Sequence, residues 1–148
     1  MIFDGGQQAL GSYLRDVADH MGLCSWRLEL DVQDEINVTN HAFMREGMQA
    51  SCHVPHGQHV AYITVHTSWS DWRPEELRAV IVHELLHIHT VPLVWSLQNV
   101  KTILGEGALW EMYDAAFDDV HEVMVDAVAT AWAETLPLPT REEHEVAK

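Results

Sequence analysis

Ala79-Val80-Ile81-Val82-His83-Glu84-Leu85-Leu86-His87-Ile88 is an apolar run broken by three polar side chains, and its reading decides the fold. Upstream, Pro74-Glu75-Glu76 places a proline and two acids where a helix N-terminus accepts both. The spacing predicts a helix from about Pro74 to Thr90 that ends before Val91-Pro92, because the residue preceding a proline is pushed out of the helical region. Leu77, Ala79, Val80, Ile81, Val82, Leu85, Leu86 and Ile88 leave it little polar surface, so it reads as a central buried helix.

Within that helix His83-Glu84-Leu85-Leu86-His87 matches H-E-x-x-H. Two histidines four apart project from one helical face, close enough for both imidazoles to reach one zinc ion at roughly 2.0–2.1 Å. Glu84 lies about 100° round the helix from His83, beside such a metal and placed to take a proton from its water. The plain competing reading is a buried helix in which two of 11 histidines happen to fall four apart. Burying two imidazoles and a carboxylate without partners costs several kcal/mol, roughly, whereas one metal and its water satisfy all three.

Working outward, Leu10, Tyr13, Leu14, Val17 and Met21 recur at helical spacing from Gln7 to Met21, and Gly22 supplies a stop. Trp26, Leu28, Leu30 and Val32 alternate with polar residues as a half-buried strand does. Met48, Ala50, Cys52 and Val54 alternate again, and Pro55-His56-Gly57-Gln58 is a turn into Val60-Ala61-Tyr62-Ile63-Thr64-Val65, which predicts a hairpin. After a loop from Val91 to Gly107, Ala108 to Glu134 shows helical periodicity through Phe117, Val120, Val123, Met124, Ala127, Val128 and Ala131.

This last helix carries His121-Glu122-Val123-Met124-Val125-Asp126. Residues 122 and 126 share a helical face, and a metal-bound histidine generally donates its second N–H to a carboxylate. On the residues alone, His121 and Asp118 are alternatives to Glu122 as a third ligand. H-E-x-x-H followed by E-x-x-x-D on a later helix resembles the gluzincin metallopeptidases, and the order of elements is similar to the reduced single-domain zincins of phages, prophages and bacteria. The resemblance covers about residues 58–130 and implies Glu122 as the third zinc ligand and Asp126 as the brace behind a zinc-bound histidine. It also implies that the strand His59 to His66 is the sheet edge holding an extended substrate, an ordinary internal strand being the plain alternative, and that a Tyr or His near the metal stabilises the oxyanion, for which Tyr62, His66 and Tyr113 are unranked candidates. The metzincin pattern is excluded, since Thr90 and Leu93 stand where it needs Gly and His. His89 points about 200° away from His87 on a continuous helix and reads as a helix-end residue.

At 148 residues the chain is the size of one domain able to bury its own core, here residues 1–136, with 137–148 as a charged tail. A net charge of −15 and the lack of a basic cluster argue against nucleic acid and anionic membrane as partners. No leader-like N-terminus is legible, the apolar run is stopped by His83 and Glu84, and Cys24 and Cys52 form no C-x-x-C pair, so a cytoplasmic setting, the host's if phage-encoded, is expected. The expectation is an α+β zincin-like domain, a small, mainly antiparallel sheet packed on the motif helix. It would bind one zinc and hydrolyse peptide bonds in a peptide or protein substrate. The alternative is a catalytically silent, zinc-stabilised binding or assembly protein.

Overall fold

The computed structural model describes residues 6–34 and 49–139. Helix α1 (Gly6–His20) is followed by strands β1 (Arg27–Gln33), β2 (Ala50–His53) and β3 (Val60–His66), a 3-10 turn (Thr67–Asp71), and helices α2 (Pro74–Leu104) and α3 (Ala108–Ala133). Leu10, Tyr13, Leu14, Val17 and Ala18 bury one face of α1. The helix stops at Gly22, whose φ of 77° suits a residue without Cβ, while the Leu23 N–H bonds back to the Ala18 carbonyl at 2.8 Å.

The sheet order is β1-β3-β2. β2 and β3 form the expected antiparallel hairpin, closed at the turn by the Gln58 N–H on the Pro55 carbonyl at 3.1 Å. β1 runs parallel to β3, with Arg27 opposite Val60 and Gln33 opposite His66. The fold is therefore α+β with a small mixed sheet, not the mainly antiparallel one expected. A hairpin is written in its turn residues, whereas a parallel pairing rests on tertiary packing that no local pattern records. The pairing also moves β3 to the centre. From Tyr62 to His66 the strand is paired on both flanks, with β1 and with β2, and is not an edge open to an added strand.

Alternation along β3 turns Ala61, Ile63 and Val65 inward, all fully buried, and leaves Tyr62 exposed on the other face. The inward side chains join Leu77, Ile81, Val82, Leu85 and Ile88 of α2 in one core with those of α1. Fully burying each such side chain contributes about 1.5–3 kcal/mol, which makes α2 the helix on which the domain is built.

α2 does not end before Val91-Pro92: it runs unbroken through Pro92 for 31 residues, so what reads as a loop from Val91 is its second half. Proline at that place leaves the Ile88 carbonyl without its helical donor, at a cost of about 3 kcal/mol. Burial of Ile88, Val91 and Leu97 on either side of Pro92 offsets it. By length and composition alone α2 is also apolar enough to cross a bilayer, a test that core helices pass as well.

Gly105 and Gly107, both at positive φ, turn the chain so that α3 folds back along α2. α3 buries His121, Val125, Ala129 and Ala133. Val120, Val123, Met124 and Val128, which carry its helical periodicity in the sequence, are exposed. Beyond α3 the chain stays on the body, since Tyr13 donates its hydroxyl to the Pro137 carbonyl at 3.0 Å and Arg78 Nη1 donates to the Leu136 carbonyl at 2.9 Å.

Candidate metal centre

The inner face of α2 supplies His83 and His87 one turn apart, and α3 brings Glu122 to them. The two Nε2 atoms are 3.1 Å apart. Glu122 straddles them, with Oε2 3.5 Å from His83 Nε2 and Oε1 3.5 Å from His87 Nε2. Ligands at roughly 2.0–2.1 Å from a tetrahedral ion stand about 3.3–3.4 Å from one another; the two nitrogens and the carboxylate are spaced close to this, each nitrogen facing a different carboxylate oxygen. His83 and His87 are about one-fifth exposed and Glu122 somewhat more, which leaves the fourth side reachable from solvent.

The orientation of His83 is fixed from behind. Its Nδ1 lies 2.8 Å from Asp126 Oδ1, so Nδ1–H donates to the carboxylate and the Nε2 lone pair faces the other donors. On the far side of the site Thr90 Oγ1 donates to the His87 carbonyl at 2.9 Å and accepts from His121 Nε2, 2.8 Å away. The His121 ring abuts the His87 ring at 5.3 Å between centroids and stacks on Phe117 at 5.4 Å. His121 is thus turned toward Thr90 and backs His87, and the donor cluster contains neither it nor Asp118. His89 faces away, against Trp132.

Glu84 is buried, and burial, reinforced by the charges of Glu122 and Asp126 against that of His83, pushes its carboxyl up to about 7. For His83, burial opposes protonation, but Glu122, Glu84 and Asp126 outweigh it and raise its pKa. Glu122 is held below the usual carboxylate range by its bond to His83, against its own partial burial. Three carboxylates thus converge on two imidazoles, an arrangement whose charge a divalent cation balances. Strand β2 closes the floor: the Cys52 thiol is raised by its burial and then by the Glu84 charge.

The three oxyanion candidates are not gathered here. Tyr62 lies on the open face of the sheet, near His53. His66 accepts from the Ser68 N–H and starts the 3-10 turn. Tyr113 is nine residues before Glu122, about 13 Å along α3, and pairs with Trp110. The support by Thr90, His121 and Phe117 escapes the sequence reading; only the i, i+3 placement of Thr90 after His87 hints at it. No family model matches the chain, and no curated protein or solved structure is significantly similar to it.

Proposed function

We propose that the protein is a zinc-dependent peptidase of gluzincin type, with His83, His87 and Glu122 as metal ligands, Asp126 as the brace behind His83 and Glu84 as the general base. The observation that carries this reading is the ligand-spaced triangle of two imidazole nitrogens and a carboxylate beside an unligated, buried Glu84. A two-nitrogen, one-oxygen set that leaves a position open suits zinc in a catalytic role.

Zinc held there would act as a Lewis acid on a carbonyl and lower the pKa of water to about 7. Glu84 takes the proton from the attacking water and returns it to the leaving nitrogen. Asp126 keeps His83 in the tautomer whose Nε2 ligates, and the His121 ring and Thr90 limit rotation of His87. A second reading, a catalytically silent zinc-stabilised binding protein, is favoured by one observation, the exposed apolar face of α3.

The test is elemental analysis of untagged protein together with cleavage of a mixed peptide library by wild type and Glu84→Gln. About one zinc per chain, cleavage by wild type and its loss in a Glu84→Gln variant that keeps its zinc would establish the peptidase. Zinc without cleavage of any peptide would favour the silent protein, and folded protein with no affinity for zinc would overturn both.

A further inference from the structure

The solvent face of α3 repeats at coiled-coil spacing. Leu109, Tyr113, Ala116, Val120, Val123 and Ala127 follow one another at alternating steps of four and three, and all six are exposed. That is the period of a seam, not of a face turned to its own core, which α3 supplies separately with His121, Val125 and Ala129. Exposure along the seam is large, 70% at Val120 and 66% at Val123, and Met112 and Met124 widen it with adaptable apolar side chains.

The charge around the seam selects its occupant. α3 carries Glu111, Asp114, Asp118, Asp119, Glu122 and Asp126 and neither Lys nor Arg, in a chain of net charge −15. Asp119 and Asp126 fall at the positions immediately beside Val120 and Ala127, where coiled-coil partners exchange charges. An antiparallel second copy would set these acids against the same acids. We propose that the exposed seam of α3 docks an amphipathic helix of a different protein, one whose apolar stripe is flanked by Lys and Arg. The proposal does not require the metal centre to bind zinc: none of the six seam positions belongs to the donor group, and Asp119 flanks the seam outside it, although Asp126 also faces His83.

The experiment uses the full chain with two labelled synthetic helical peptides, both with Leu at the seam positions, one flanked by Lys and the other by Glu. The sedimentation mass of the protein is measured alongside. The expected result is a monomer that binds the Lys-flanked peptide saturably and one to one, ignores the Glu-flanked one, and loses about tenfold or more of its affinity in V120D/V123D. Both valines are exposed, so the double variant should keep its far-UV spectrum and melting temperature; if it does not fold, V123T, which retains shape, replaces it. A wild-type dimer dispersed by the same substitutions would overturn the proposal in favour of a second copy. Failure of the Lys-flanked peptide to bind, or binding indifferent to Val120 and Val123, would overturn it outright.

Discussion

Asp126 and Glu122, one turn apart on α3, take opposite nitrogens of the same ring: Asp126 Oδ1 lies 2.8 Å from His83 Nδ1, and Glu122 Oε2 lies 3.5 Å from His83 Nε2. A single helical face thus both orients the imidazole and completes the donor set, which ties the precision of the centre to the packing of α3 on α2.

Asp126→Asn removes the charge that holds His83 in its ligating tautomer while keeping the shape of the side chain. Zinc affinity, read by competition with a chromophoric chelator, is expected to fall about 10–100-fold with the melting temperature of the metal-free protein little changed, since Asp126 is more than half exposed. Unchanged affinity would remove Asp126 from the site.

Glu84 is a buried carboxyl whose pKa stands near 7, above the ordinary 4.5, so in the metal-free fold its ionised form is a liability. Glu84→Gln is expected to stabilise chelator-treated protein at pH 8 by on the order of 1–3 kcal/mol in denaturant unfolding, and by much less at pH 5, where the native carboxyl is already protonated. Equal effects at both pH values would contradict the burial argument.

The pH dependence should have opposite signs with and without metal. His83 and Glu84 both have raised pKa values, so the metal-free fold binds more protons than the unfolded chain and loses stability as pH rises through neutrality. With zinc the proton is a competitor. Melting temperature in excess zinc should rise over the same interval, because the raised His83 pKa makes the proton a stronger competitor at the acid end. Calorimetric scans with zinc and with chelator, from pH 5 to 8, read both slopes.

Pro92→Ala returns an N–H to the Ile88 carbonyl in the middle of α2. Stability should increase by about 1–2 kcal/mol, the helical gain less the entropy that proline removes from the unfolded chain. Pro92 is exposed, so a loss of stability in urea titration would show that the entropy it removes from the unfolded chain outweighs the helical bond it forgoes.

The motif helix, the hairpin and the pairing of Glu122 with Asp126 were legible because each is encoded within a few residues. His83 and His87 share a face by helical spacing, and Pro55 to Gln58 carry their own turn chemistry. The strand order was not legible, since Arg27 and Val60 are 33 positions apart with β2 between them in the chain, and nothing near Arg27 specifies parallel pairing. Pro92 read as a stop because its local cost is real; burial of Val91 and Leu97 overrides it from outside the helix. Periodicity alone does not say which face of α3 is buried, because two apolar faces exist. The stronger one, with Val120 and Val123, is turned to solvent, while Ala129 and Ala133, weak in any hydropathy reading, are small enough to be buried.

The bond from Tyr13 to the Pro137 carbonyl joins residues 124 positions apart. On a ribosome, where the chain emerges N-terminus first, α1 and the two histidines of α2 are made well before the segment that ties α1 down. The nascent protein therefore shows a pair of imidazoles without their carboxylate, and the last turn of α3 and the residues after it act as the latch of a non-local fold. Completion of the donor triangle therefore waits for α3, which reaches Glu122 only 35 positions after His87.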